Sequence, residues 1–198
     1  GTYIMYVAEM KQCFAMFFLL LSITYAEEKK YVRFYILVAI AILFHTHAFM
    51  FAVLPFLFEK PWGKVTWIGL GVALLAMATY NSTLGAFMEY AQSIGALVDE
   101  SELFDGHKIN FLRVVVYWAP SILALVFRKR LFNNSSRIEN LFANMAIVSS
   151  IILMIGLVQG ANLFARMAAY FEIATALTIP WMINKTFAKH SARYVTFC

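Results

Sequence analysis

The chain has 198 residues, of which 62% are hydrophobic and only 14% charged, and its formal net charge is +5. About a quarter of the residues of a soluble domain are charged, so this composition indicates an integral membrane protein. The basic residues form short clusters between apolar runs, which argues against nucleic-acid binding, and Cys13 and Cys198 form neither a disulfide framework nor a metal-binding spacing.

The chain begins at Gly1, close to an apolar run, and lacks the basic segment and cleavage site of a secretory signal. We therefore expect it to be a fragment of a longer membrane protein, without that protein's N-terminal part.

Five apolar runs are long enough, or nearly long enough, to cross a membrane, which takes about 20 residues. In chain order they are residues 10–25, 65–80, 111–127, 140–158 and 163–183. The sequence therefore predicts an all-α fold, a polytopic transmembrane helix bundle with about five spans, in one domain over residues 1–198.

A further apolar run, residues 34–58, contains His45 and His47 but no Asp, Glu, Lys or Arg. One possible structure is a single tilted helix about 37 Å long, whose histidines bind neighbouring helices. The other is a re-entrant hairpin of two half-helices, residues 34–44 and 48–58, with a turn at the histidines. A non-helical turn at membrane depth requires burial in protein or a water-filled cavity, so the hairpin would place both histidines in a wet site.

The distribution of basic residues favours the hairpin, because cytoplasmic loops of membrane proteins carry an excess of Lys and Arg. With the hairpin, twelve clustered basic residues share one side and only Lys108 lies on the other, whereas a single crossing divides them nine to four. The predicted cytoplasmic segments are the loops at about 26–33, 59–64 and 128–139 and the tail at about 184–198. The predicted extracytoplasmic loop is about 81–110.

This topology brings basic residues from distant parts of the chain to the outer half of the membrane, namely Lys11, Arg113 and Arg166. The planar fork of an arginine matches phosphate oxygens. Arg166 and Tyr170 are four residues apart and share one helix face. Together with two histidines and no acidic cluster, these groups suit an anionic ligand such as a lipid-linked pyrophosphate.

Each candidate also has a structural interpretation. Arg113 could reach the membrane interface as a snorkelling side chain, Lys11 could pair with Glu9, and Arg166 could pair with Glu172 or a backbone carbonyl. The histidines could pack in the core, and their spacing by two residues is not a zinc-site signature.

Three passages resemble the EpsG family of bacterial polysaccharide-assembly proteins: MKQCFA at residues 10–15, LFHTHAF at 43–49 and NLFARMAAYFEI at 162–173. The family has an (Arg/Lys)-Gln-x-(Ile/Phe)-Ala helix start, a Phe-His-x-(Ser/Thr/His)-Ala motif and a late Arg-(Met/Ile)-x-x-Tyr-Phe segment. The resemblance covers about residues 5–185. Lys11 stands where the family usually has arginine, which keeps the charge but loses the fork geometry.

The resemblance implies a glycosyltransferase of the bacterial inner membrane that polymerises exopolysaccharide, capsule or O-antigen. Such a polymerase would join undecaprenyl-pyrophosphate-linked oligosaccharides at the outer face, without a cofactor or metal, and a chain-length regulator is a further candidate partner in the bilayer. The implied catalytic residues are His45, as a base or substrate orienter, and Arg166, which stabilises pyrophosphate. The implied substrate-binding residues are Lys11, His47, Arg113 and Tyr170.

Two other functions fit the same features: a transporter or flippase of lipid-linked sugars, and an O-antigen ligase-like transferase. An enzyme needs polar groups only in the outer half of the membrane, whereas a transporter needs them through the inner half as well. The inner halves of the predicted spans are apolar, which favours an enzyme.

Overall fold

The computed structural model describes residues 2–79, 108–158 and 160–186, with side chains from residue 10 onwards. Every regular element in these ranges is helical. The elements are α1 (Thr2–Glu27), α2 (Tyr31–Phe44), a 3₁₀ helix (Thr46–Phe58), α3 (Lys64–Ala78), α4 (Phe111–Val126), α5 (Arg128–Leu131), α6 (Arg137–Ile155) and α7 (Ala161–Thr186). The predicted all-α fold is confirmed. Most of the predicted loop at 81–110 and of the tail at 184–198 lies outside the described residues.

One helix of the described chain, α6, is both long enough and apolar enough to cross a membrane. The apolar helices α2, α3 and α4 and the 3₁₀ helix have 14, 15, 16 and 13 residues respectively. These lengths fall below the usual span of about 20 residues. The number of spans, predicted as about five, therefore stays a prediction.

The chain reverses direction at His45. Helix α2 ends at Phe44, His45 has an extended backbone (φ −151°, ψ 115°), and the 3₁₀ helix begins at the next residue. The Tyr35 hydroxyl donates to the Ala52 carbonyl at 3.5 Å. These two residues are about 15 Å and 14 Å of helix rise from His45, so the helices lie side by side, as a hairpin requires.

The returning half of this hairpin is a 3₁₀ helix and not an α-helix. Pro55 lies inside it and has no N–H group to donate to a preceding carbonyl. Because a 3₁₀ helix rises about 2.0 Å per residue, its 13 residues extend about 26 Å, further than the same residues would in an α-helix.

Helix α6 forms the centre of the bundle, and its buried polar side chains bind neighbouring backbones. The Asn144 amide donates to the carbonyls of Leu57 and Glu59, both at 2.7 Å, where the 3₁₀ helix ends. The Ser150 hydroxyl, a single donor, lies within hydrogen-bond distance of the carbonyls of Tyr117 at 2.7 Å and Ala146 at 2.9 Å. These bonds fix the hairpin and α4 against α6.

Basic segments that are distant in sequence meet at one end of the bundle, which we call the basic end (Lys60, Arg128, Lys129, Arg137 and Lys185). The Arg137 guanidinium lies 5.0 Å from the centre of the Phe58 ring, and Lys185 Nζ lies 3.5 Å from Glu139 Oε2. At the other end, the Ile109 amide donates to the Gly156 carbonyl at 2.8 Å and holds the start of α4 against the end of α6. Which end faces the cytoplasm stays a prediction.

Candidate active site

Three parts of the chain contact one short segment of α7, residues 166–172. The Gln12 amide on α1 donates to the Arg166 carbonyl at 3.4 Å. The Tyr170 hydroxyl hydrogen-bonds to His45 Nδ1 at 2.6 Å. Arg113 Nη2 on α4 lies 3.5 Å from Glu172 Oε1. This segment of α7 therefore brings together residues from all three passages that resemble the EpsG family.

The backbone at the break presents His45 towards α7. Its amide donates to the Ala41 carbonyl and completes the last turn of α2, and its own carbonyl accepts from the Ala48 amide, both at 3.0 Å. These two backbone bonds fix the position of the residue at the turn. The imidazole is half-buried, and Tyr170, its partner, is buried with 2% of its surface exposed. The hydrogen bond between them is thus shielded from bulk water on the tyrosine side.

His47 lies behind His45 in the first turn of the 3₁₀ helix. It is buried, with 2% exposure, and its ring centre is 5.0 Å from that of His45. The two predicted histidines are therefore adjacent, but His45 is the more accessible of the two.

Arg113, Tyr117 and Glu172 form a charged cluster between α4 and α7. Tyr117 donates to Glu172 Oε2 at 3.4 Å, and the Arg113 guanidinium lies 5.6 Å from the Tyr117 ring centre. Arg113 and Tyr117 are four residues apart, so both reach the same carboxylate from one face of α4. Glu172 thus pairs with Arg113, and the alternative interpretation in which it pairs with Arg166 is wrong.

Arg166 is half-buried and lies one turn before Tyr170 on α7. Among the described residues, its guanidinium makes no hydrogen bond or ion pair; its carbonyl accepts the bond from Gln12. A half-buried arginine without a counter-charge in the described part of the chain is available to an anion. Lys11, also predicted to bind substrate, is exposed on α1 next to Gln12.

An open groove of about 570 Å³ lies beside this cluster, between α1, α4 and α7. Most of its lining is apolar, including Met16, Val116 and Ile173, while Tyr117 and Glu172 supply its polar part. The site therefore combines charged groups with an adjacent apolar groove.

Sequence reasoning missed two of the groups that build the site. Gln12 lies in the first of the three motifs, but its charge-bearing neighbour Lys11 gives the stronger sequence signal. Tyr117 is the second missed group, although its spacing from Arg113 indicates a shared partner.

Among the residues that the structure describes, no group of three or more His, Cys, Asp or Glu side chains could hold a metal ion.

A family model described as the EpsG family matches residues 1–198. Neither the curated proteins nor the solved structures contain a match to the chain. The EpsG family is linked to polysaccharide biosynthesis and to glycosyltransferase-like polymerases, and together with the apolar helix α6 this indicates a membrane protein of polysaccharide biosynthesis. Because the match extends over its whole length, the chain belongs to the EpsG family.

Proposed function

We propose that this protein is a polysaccharide polymerase that joins oligosaccharide repeat units carried on undecaprenyl pyrophosphate. The observation that carries the proposal is the 2.6 Å hydrogen bond between His45 and Tyr170, one helical turn from the half-buried Arg166. A candidate base, bonded to Tyr170, and a candidate pyrophosphate-binding group thus meet at one turn of α7.

His45 acts as the general base. Its Nε2 accepts the proton of the acceptor sugar's hydroxyl as that oxygen attacks the anomeric carbon of the donor sugar. In the tautomer that this requires, Nδ1 carries the proton and donates it to the Tyr170 hydroxyl oxygen. Tyr170 therefore orients the imidazole through its Nδ1 atom.

Arg166 stabilises the leaving group. As the bond between the anomeric carbon and the pyrophosphate oxygen breaks, the oxygen keeps the electron pair and negative charge develops on it. A positioned guanidinium has its greatest effect where charge develops in the transition state. Lys11, next to Gln12 on α1, supplies further positive charge for the pyrophosphate.

Arg113 serves as a further binding group, while the buried His47 packs beside His45 and supports its position. Glu172 pairs with Arg113 and accepts from Tyr117, so Arg113 is held against α7 before a substrate arrives. The apolar groove beside Glu172 accommodates part of the isoprenoid chain. An adjacent charged site and apolar groove match the two chemical halves of a polyprenyl pyrophosphate.

The proposed orientation places this site at the outer face of the bacterial inner membrane and the basic end in the cytoplasm, following the positive-inside rule. A chain-length regulator that contacts the bundle is the proposed protein partner. The activated donor supplies the driving force, so the reaction needs no nucleotide.

The test uses the full-length protein in a host that lacks its own polymerase, with His45→Ala and Arg166→Ala made separately and Arg130→Ala on the short helix α5 as a control. Membrane levels are compared by immunoblot, and the surface polysaccharide is separated on a gel. We expect both site variants to show single repeat units without the long-chain ladder, while the control retains the ladder.

Three other results would contradict the proposal in different ways. An unchanged ladder in both site variants would return these residues to structural roles. Loss of all surface sugar, single units included, would indicate a transporter. Long chains that accumulate on the carrier without transfer to a final acceptor would indicate a ligase-like transferase.

A further inference from the structure

A basic pocket of about 380 Å³ lies at the basic end, far from the candidate active site. Lys60 and Pro61 line one wall, and Arg128, Lys129, Phe132 and Asn133 line the other. Half of these residues are positively charged and none is acidic. A concave site lined by positive charges concentrates their electrostatic field and attracts anions.

The wall that contains Lys60 is held in place by Trp62. This side chain is 3% exposed, and its indole N–H donates to the Ser121 carbonyl on α4 at 3.1 Å. Its φ of 57° is rare for a bulky residue. The surrounding contacts therefore hold the backbone next to Lys60 in an unusual conformation.

The opposite wall of the pocket is anchored in the buried apolar cluster that contains Trp62. Leu131 is fully buried and Phe132 is 3% exposed, and both pack in one cluster with Trp62. With these two residues turned inward, Arg128 and Lys129 are exposed at the surface of the short helix α5. Both walls are thus fixed, and such preorganisation lowers the entropic cost of binding.

Exposed apolar side chains on the adjoining helices indicate which kind of anion fits. Trp67 and Ile68 on α3 are 52% and 67% exposed, and Ile122 and Val126 on α4 are 52% and 68% exposed. The pocket lies where α3 begins and α4 ends, so these surfaces extend from it towards the apolar part of the bundle. A soluble anion would use only the basic groups, whereas a phospholipid would use both.

We propose that this pocket binds the head group of an anionic phospholipid, with its acyl chains along the exposed faces of α3 and α4. Basic pockets between helices are known to suit such head groups. Lys60, Arg128 and Lys129 contact the phosphate, and the lipid belongs to the leaflet opposite the active site. This inference goes beyond the polymerase proposal and requires only that the protein lies in a membrane.

The test is native mass spectrometry of the purified full-length protein with phosphatidylglycerol or phosphatidylcholine added in detergent. The pocket variant is Lys60→Gln/Arg128→Gln/Lys129→Gln. The charge-matched control is Lys29→Gln/Lys64→Gln/Arg130→Gln, three basic residues that do not line this pocket. We expect the wild type and the control to retain phosphatidylglycerol in preference to phosphatidylcholine. In the pocket variant this preference should fall by about tenfold or more.

Additional measurements distinguish a site for a lipid head group from a site for a soluble anion. Inorganic phosphate and glycerol phosphate, added at millimolar concentration, should leave bound phosphatidylglycerol in place, because neither engages α3 and α4. Complete displacement by these anions would overturn the proposal in favour of a soluble anion site. Equal retention of both lipids by the wild type, or equal loss in the control and pocket variants, would show non-specific attraction and also overturn it.

Discussion

His45 Nδ1 and the Tyr170 hydroxyl oxygen lie 2.6 Å apart, although 125 residues separate them in the chain. This bond joins the break of the hairpin to α7 and connects two of the three passages that resemble the EpsG family. It therefore provides the most direct test of whether the structural arrangement has a catalytic role.

Removal of the Tyr170 hydroxyl should slow polymerisation without disturbing the fold. Tyr170→Phe keeps the buried ring and loses one hydrogen bond, which contributes about 1 kcal/mol, so we expect roughly a fivefold lower rate. The measurement is polymerisation of purified lipid-linked repeat units by membranes with matched protein levels. Tyr35→Phe, which removes the hydroxyl that binds the Ala52 carbonyl, is the matched control and should keep the wild-type rate. Equal rates in wild type and Tyr170→Phe would exclude an orienting role.

Glu172 should act on polymerisation through Arg113. Glu172→Gln keeps the shape of the side chain but removes the charge that pairs with the guanidinium, so we expect a smaller loss of activity than in Arg113→Ala. The double variant should be no less active than Arg113→Ala alone, since the two residues belong to one unit. Losses that multiply in the double variant would mean that Glu172 acts independently.

Asn144 should be important for stability because its amide binds two carbonyls at the end of the 3₁₀ helix. Asn144→Ala leaves the buried carbonyls of Leu57 and Glu59 without this donor, at a cost of about 2–4 kcal/mol. Thermal unfolding in detergent should show a clearly lower midpoint than for Asn134→Ala, whose side chain is exposed. An equal midpoint for both variants would show that other donors replace Asn144.

Gly156 allows the end of α6 to approach Ile109 closely. A Cβ at this position would lie 2.8 Å from Ile109 Cγ1, so Gly156→Ala should destabilise the protein by about 1–3 kcal/mol. Shortening the neighbour in Gly156→Ala/Ile109→Ala should relieve the clash and recover part of the loss. In contrast, Gly71→Ala meets no atom within 4 Å and should be neutral or stabilising, since alanine favours a helix. Destabilisation of equal size in both single variants would contradict this explanation.

The helical elements could be predicted from the sequence because apolar runs in a membrane protein have few alternatives to a helix. The break at residues 45–47 was also predictable, since only a hairpin collects the basic clusters on one side. The 3₁₀ form of the returning half was not, because an apolar run without polar positions has no periodicity that distinguishes the two helix types.

The site was predictable only in part. Charge, motif and spacing indicate His45, Tyr170 and Arg166, and the structure brings them together at residues 166–172 of α7. The pairing of Arg113 with Glu172 depends on the rotation of α4 against α7, which local spacing does not determine. The basic pocket needs Lys60 and Arg128 side by side, and that proximity arises from the buried apolar cluster that includes Trp62 and Phe132.

The three contacts on residues 166–172 fall within about 9 Å along the axis of α7, at about 1.5 Å of rise per residue. They connect α7 to α1, to the hairpin break and to α4. Displacement of α7 by one turn, about 5.4 Å, would separate all three connections together. The integrity of the whole site therefore depends on the position of this one helix.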